Sequence, residues 1–203
     1  MSKLRIRIFL TLQNTDGKIY QKKLEGEKPM SKKNGVKRIC SFCVSNWHLV
    51  TMLMPYISKK IEKENVVMLM EYDMSDISKQ FLAHISLNDE LKVRINNLKW
   101  QKTFCKYSEV KEILNSSIKE RKDMNFIVFG TEEYINKMND NINKWMKGHK
   151  KELENLFVQI IDAYEVMQFN NNLNDILDSH DKLLNTSGEK EIEEVFEGYK
   201  KIV

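Results

Sequence analysis

The sequence predicts an α/β protein with a largely parallel, doubly wound sheet, helices covering both faces. From Val36 onward, short apolar runs alternate with amphipathic stretches of helical length. Strands that are apolar on both faces, each followed by a helix, are typical of a parallel sheet buried on both sides. A chain of 203 residues is long enough for one main core. We therefore expect residues 36–203 to form one domain.

The first 35 residues follow a different pattern. The segment LRIRIFLTLQNTDGKIYQKKL alternates apolar and polar residues, breaks at Asn14 to Gly17 and resumes at Ile19. This pattern predicts a β-hairpin. The polar stretch GEKPMSKKNG that follows is typical of a linker. Residues 1–35 are thus predicted to be a β-hairpin and a basic linker.

The elements predicted for residues 36–203 alternate along the chain. Strands are predicted at 38–44, 66–72, 92–95, 125–129 and 156–163. Helices are predicted at about 46–64, 75–86, 108–122, 131–152 and 169–179.

Composition excludes some classes of protein and favours others. The 33 basic residues are nearly balanced by 29 acidic ones, for a net charge of +4, so a polyanionic partner is possible but not favoured. No apolar run reaches the ~18 to 20 residues needed to cross a bilayer. Three cysteines without a secretion signal favour reduced thiols over a disulfide framework. We expect a soluble, cytoplasmic protein without a membrane partner.

The stretch RICSFCVSNWHLV brings Cys40, Cys43 and His48 close together in sequence. On a strand, residues three apart point to opposite faces, so the two thiols could not grip one metal ion. We interpret the cysteines as part of a buried strand. His48 falls in the first turn of the next helix, which Ser45 or Asn46 would cap. Packing is favoured for His48 over ligand binding.

Motifs for phosphate binding and nucleophilic catalysis are absent. The first strand–helix junction, CVSNWHLV, has no glycine or lysine, so no phosphate loop is formed there. GxGxxG and GxSxG are also absent. The four histidines show no metal-ligand spacing. We therefore expect no enzymatic activity, no cofactor and no metal.

Carboxylates cluster in MEYDMSD at the end of the second predicted strand. Glu71, Asp73 and Asp76 could bind a cation or act as acid and base. Capping of the following helix by Asp73 or Ser75 is the favoured interpretation.

A small-molecule pocket is predicted at the carboxyl ends of the strands, where open α/β sheets form a crevice. Its aromatic candidates are Trp47, Tyr72, Trp100, Tyr134 and Tyr164. Its polar candidates are Asn46, Glu71 and Asp162. Ordinary core packing would explain each aromatic residue separately just as well.

The order of these segments resembles a known family. The stretch RICSFCVSNWHLVTMLMPYISKKIEKENVVMLME resembles the opening of the DcmR-type sensory domain, called MEDS. NFIVFGTEEYINKMNDNINKW resembles the later strand and helix of that family, and QIIDAYEVMQFNNNLNDILDSHDKLLNTSG resembles its closing pattern. The resemblance covers residues 36 to about 188.

The resemblance implies a KaiC- or RecA-like fold that lacks the phosphate loop and senses small molecules, often hydrocarbon derivatives. His180, Tyr164, Gly130 and Pro55 match family positions, whereas Arg38 stands where the family often has histidine. The ligand-binding residues expected from the sequence and the resemblance together are Asn46, Trp47, His48, Glu71, Tyr72, Trp100, Gly130, Tyr164 and His180.

The leading hypothesis is a non-catalytic sensory or regulatory protein that binds a small molecule or a protein partner at the carboxyl ends of the strands. The alternative is a nucleic-acid-associated regulator that uses the basic N-terminal hairpin and linker, and a third hypothesis is an enzyme built on Glu71, Asp73 and His180. The unpaired edges of a hairpin invite pairing with a second chain, so we expect a homodimer.

Overall fold

A computed structural model describes residues 35–166 and 173–199. Its strands are β1 (Val36–Cys43), β2 (Asn65–Met70), β3 (Met124–Gly130), β4 (Val158–Glu165), β5 (Lys182–Asn185) and β6 (Gly188–Lys190). They form one sheet in the order β2-β3-β4-β1-β5-β6. Strands β1 to β5 run parallel, and β6 is antiparallel to β5. The prediction of an α/β protein with a largely parallel sheet is confirmed.

Helices follow each of β1 to β4, and one more follows β6. They are α1 (Asn46–Lys60), α2 (Ser75–His84), α3 (Asp89–Asn96), α4 (Tyr107–Ile118), α5 (Glu132–Gly148), α6 (Lys150–Leu153), α7 (Leu173–Asp178) and α8 (Ile192–Val195). The helix predicted at 131–152 is divided into α5 and α6 at His149, whose φ of −120° and ψ of 30° leave the helical region.

The prediction of a strand at 92–95 is wrong, because this segment lies in α3. Asn88 caps the helix, its side-chain oxygen accepting a hydrogen bond from the Leu91 N–H at 2.7 Å. Leu91 and Ile95, four residues apart, are the buried residues of α3. A spacing of four places both side chains on one helix face.

The helices cover both faces of the sheet. Buried residues of α1, α2 and α3 pack on one face, and those of α4, α5 and α7 pack on the other. Cys43 belongs to the first cluster and Cys40 to the second. The two thiols thus lie buried on opposite faces, as their odd spacing predicts.

The predicted N-terminal hairpin and linker lie outside the described residues, except for Gly35. The start of the helix predicted at 169–179 does so too. Within the described residues, every helix is too short or too polar to span a membrane.

Candidate functional site

The junction between β1 and α1 is closed by side chains. Ser45 is the N-cap of α1, and its hydroxyl accepts a hydrogen bond from the His48 N–H at 3.2 Å. The Val44 N–H in turn donates to Nδ1 of His48 at 3.3 Å. Burial lowers the pKa of His48, which suits a neutral ring that accepts this bond. Trp47 beside it is 45% exposed, and its ring centroid lies 6.3 Å from that of Phe81.

Glu71 and Gly130 meet at the carboxyl ends of β2 and β3. Oε2 of Glu71 accepts a hydrogen bond from the Thr131 N–H at 2.6 Å, and Thr131 is the N-cap of α5. A Cβ at position 130 would lie 2.7 Å from Cβ of Glu71 and 2.9 Å from Cδ1 of Tyr134. Position 130 must therefore lack a side chain for this approach. A carboxylate at the start of α5 also complements the helix dipole.

Asp73 is engaged just before α2. Its Oδ1 accepts a hydrogen bond from the Ser75 N–H at 2.9 Å, which forms an Asx turn. The N-cap residue of α2 is Met74 and makes no side-chain capping bond, so the predicted capping by Asp73 or Ser75 is wrong. The structure does not bring the carboxylates of this segment to His180. Strands β2 and β5 are separated by β3, β4 and β1. At about 4.8 Å per strand, their axes are about 19 Å apart.

The predicted aromatic residues fall into different environments. Trp100 is buried, and its indole N–H donates to the Ile95 carbonyl at 2.9 Å. The Tyr72 ring lies 5.9 Å from that of Phe129. Tyr164 lies 6.2 Å from the His180 ring. Of the nine predicted ligand-binding residues, only Tyr164 and His180 line the polar cavity described next.

A polar cavity of about 330 Å³ lies between the sheet and α5. It is lined by Arg38, Asn136, Asn139, Asp140, Asn143, Asp162, Tyr164, Ser179 and His180. We call it the Asp162 cavity. Arg38 is the third residue of β1 and Asp162 the fifth of β4, so the cavity lies over the face of the sheet instead of beyond the strand ends.

Four lining residues on α5 are not among the residues predicted from the sequence, although the sequence carries a signal for them. Asn136, Asn139, Asp140 and Asn143 are spaced i, i+3, i+4 and i+7. That spacing places four polar side chains on one helical face. Ser179 was missed as well, and no pattern in the sequence marks it.

Asp162 is the most buried acidic group in this cavity, with 1% of its surface exposed. Its Oδ2 accepts from Nδ2 of Asn139 at 2.9 Å and faces Nε2 of His180 at 3.0 Å. Nη1 of Arg38 lies 3.6 Å from the same oxygen. The other oxygen, Oδ1, accepts no hydrogen bond within the described residues. A buried carboxylate oxygen without a donor is costly.

His180 is held at both ring nitrogens. Nδ1 lies 2.6 Å from the Ile176 carbonyl oxygen, which can only accept. Nε2 lies 3.0 Å from Oδ2 of Asp162, and a proton is needed between them. The His180–Asp162 pair therefore carries no net charge, whichever partner holds that proton.

Arg38 is anchored through its backbone and its guanidinium. Its N–H donates to Oδ2 of Asp181 at 2.8 Å. Nη1 donates to Oδ1 of Asn139 at 3.2 Å, and Nη2 donates to Oδ1 of Asn143 at 3.1 Å. Two of the asparagines on α5 are thus oriented by one arginine, which leaves the Asn143 amide nitrogen available as a donor.

Metal ligation has no support in the part of the chain that the structure describes. Within residues 35–166 and 173–199, no three side chains of His, Cys, Asp or Glu form a group that could hold a metal ion.

Comparison with known proteins gives no family for this chain. No protein family matches the sequence, and no curated protein matches it significantly. One solved structure that the comparison matches to this chain is a prototypical ATPase from the type III secretion system of pathogenic bacteria, at 13% identity and a TM-score of 0.42. The match covers 72% of this chain and 51% of the ATPase chain, so it spans about half of that protein. A similarity this low carries no functional argument.

Proposed function

We propose that this chain is a non-catalytic sensory or regulatory protein that binds a small polar molecule in the Asp162 cavity. The observation that carries the proposal is Oδ1 of Asp162, a buried carboxylate oxygen that accepts no hydrogen bond within the described residues. A ligand that donates a hydrogen bond to this oxygen would remove its desolvation cost.

A second buried polar network supports this interpretation by contrast. Asn125 is fully buried in the sheet, and both ends of its amide are satisfied. Its Oδ1 accepts from the Tyr56 hydroxyl at 2.6 Å, and its Nδ2 donates to Oε2 of Glu64 at 2.7 Å. In the network around Asp162, by contrast, the carboxylate oxygen Oδ1 has no hydrogen-bond donor within the described residues.

The engagement of the reactive groups supports the proposal that the chain is non-catalytic. Both ring nitrogens of His180 are hydrogen-bonded, so neither is available to a substrate as a general base. Glu71 and Asp73 each accept a backbone N–H bond. Burial raises the pKa of Cys43 to about 12, which keeps its thiol protonated and a poor nucleophile.

A sensory role is supported by the positions of the cavity residues along the chain. They come from β1, β4, α5 and the segment after α7, which are far apart in sequence. A ligand that contacts all of them favours the conformation in which they are together, and it can act as a signal only if another conformation binds it less well. In this proposal the bound state alters an interaction with another protein.

The experiment is a thermal-shift and calorimetric titration of the full chain with acetamide, butanamide, urea and uridine. Each of these neutral molecules offers hydrogen-bond donors and acceptors. At one hundred times the dissociation constant, binding should raise the melting temperature by about 5 to 10 °C. Asn136→Ala should weaken binding, since Asn136 lines the cavity and makes no side-chain hydrogen bond to another described residue.

Lys137→Ala is the matched control. Lys137 follows Asn136 on the exposed part of α5 and does not line the cavity. It should leave binding unchanged. Binding that is equally affected by both variants, or a panel without any effect on the wild-type protein, would argue against a ligand in the Asp162 cavity.

A further inference from the structure

An apolar groove adjoins the Asp162 cavity. Its volume is about 580 Å³. Its lining is Gly35, Val36, Asn143, Met146, Lys147, Lys150, Leu153, Glu154, Leu156 and Val158. The apolar residues come from β1, α5, α6, β4 and the segment just before β4. The charged residues, Lys147, Lys150 and Glu154, are exposed. The groove thus offers an apolar floor with solvated charges around it.

The groove and the cavity share a wall. Asn143 lines both of them, and its side chain accepts a hydrogen bond from Arg38. Val36 and Arg38 are two residues apart on β1, so they share a face of the sheet. Val158 pairs with Val36 in register and shares a face of β4 with Asp162. One face of two adjacent strands therefore passes from apolar to polar.

The charges in the cavity call for a neutral head group. The His180–Asp162 pair has no net charge, and the other charged lining residues, Arg38 and Asp140, are of opposite sign. Oδ1 of Asp162 requires a hydrogen-bond donor. The oxygen of the Asn143 amide accepts from Arg38, so its nitrogen can donate a hydrogen bond to a ligand. A head group that both donates and accepts hydrogen bonds, such as a primary amide or a hydroxyl beside a carbonyl, meets these requirements.

We propose that the ligand is a single-chain amphiphile whose neutral polar head lies against Asp162 and whose aliphatic chain lies along the groove. This inference rests on the proposed function and adds the class of ligand. The polar cavity alone would select any small donor–acceptor molecule. The groove adds a preference for molecules that carry an apolar chain on that head.

The test is a calorimetric titration of the full chain with primary aliphatic amides from butanamide to decanamide. Each additional CH₂ buried in the groove contributes about 0.8 kcal/mol, so affinity should rise up to about fourfold per carbon. The matched N,N-dimethyl amides have the same chains but no N–H donor. They should bind at least tenfold more weakly at every length.

A groove variant separates the two sites. Leu153→Asn should flatten the dependence on chain length while leaving butanamide binding unchanged. Val93→Asn on α3 is the control, because Val93 is 59% exposed and lines neither the groove nor the cavity. It should bind the whole series as the wild type does.

The outcomes divide the two proposals. If amides bind equally at all chain lengths, the amphiphile is wrong while the proposed function stands. If long amides bind but their dimethyl forms bind equally well, the head group does not use Asp162, and the amphiphile is again overturned. If Leu153→Asn changes only the oligomeric state, the groove binds a second copy of the chain instead of an aliphatic chain, and the amphiphile is overturned. If no amide and no other polar probe binds, both proposals fail.

Discussion

Oδ2 of Asp162 lies 3.0 Å from Nε2 of His180, and the two side chains are 1% and 2% exposed. The carboxylate is in the centre of the sheet on β4, and the imidazole is at the start of β5, on the other side of β1. The pair therefore ties α7 and the entry to β5 to the middle of the sheet.

His180→Ala should be strongly destabilising. It leaves Asp162 buried with only Asn139 and a distant Arg38 as partners, and removal of one member of a buried pair typically costs about 3 to 5 kcal/mol. Urea unfolding followed by circular dichroism measures the free energy of unfolding. Arg94→Ala is the control, because the pair of Arg94 with Glu90 is exposed and should contribute less than about 1 kcal/mol. Equal losses in the two variants would contradict the importance of the buried pair.

Two glycine substitutions should have opposite effects. Gly130→Ala forces a Cβ to within 2.7 Å of Glu71, so it should cost roughly 1 to 3 kcal/mol, the usual range for overpacking. Gly148→Ala at the end of α5 meets no atom within 4 Å and should be neutral or stabilising by up to about 1 kcal/mol. Chemical denaturation measures the free energy of unfolding of both variants and of the wild type. A Gly130→Ala protein as stable as the wild type would show that Glu71 and Tyr134 yield easily.

Cys43 should make the protein less stable at alkaline pH. Its pKa in the folded state is raised, first by burial and then by the nearby Glu165, to about 12 from an ordinary value of 9.0. A thiol with a raised pKa in the folded state favours folding below its ordinary pKa. That contribution is lost as the pH rises from about 9 towards 12, because only the unfolded chain releases the proton readily.

The measurement is the free energy of unfolding as a function of pH for the wild type and Cys43→Ala. Between pH 9 and 11 the wild type should lose up to about 1.4 kcal/mol more per pH unit than the variant. The comparison is needed because burial also raises the pKa of Tyr56 and Tyr164. Parallel curves for the two proteins would contradict the assignment to Cys43.

Thiol reactivity gives a separate check on the strand that holds Cys40 and Cys43. Both are buried on opposite faces of the sheet, while Cys105 is half-buried. In the folded protein at pH 8, a disulfide reagent should label Cys105 first and the other two only at the rate of unfolding. In denaturant all three should react at once. Rapid labelling of Cys40 or Cys43 in the native state would mean that β1 is not the central strand described.

The sequence predicts the sheet better than it predicts the site. The strands β1 to β4 are apolar on both faces, which only a sheet covered by helices accommodates, so the fold class follows from local pattern. The wrong prediction of a strand at 92–95 has a local cause as well. The segment LKVRI fits both a spacing of two and a spacing of four, and the cap at Asn88 decides between them.

The Asp162 cavity depends on contacts between distant parts of the chain. Arg38, Asn139 and His180 converge on Asp162 because β1 lies between β4 and β5, an order that no short segment encodes. The polar face of α5 is visible in the sequence, but its meaning depends on which strands it covers. For this reason the ligand is predicted from the sequence at the strand ends, and only Tyr164 and His180 of the predicted ligand-binding residues line the cavity.

The most direct test of the central claim is a crystal structure of the full chain soaked with butanamide. We expect density for the amide in the Asp162 cavity, with its nitrogen within about 3.2 Å of Oδ1 of Asp162. A cavity closed by the protein's own side chains, with Oδ1 bonded to one of them and no amide present, would contradict it.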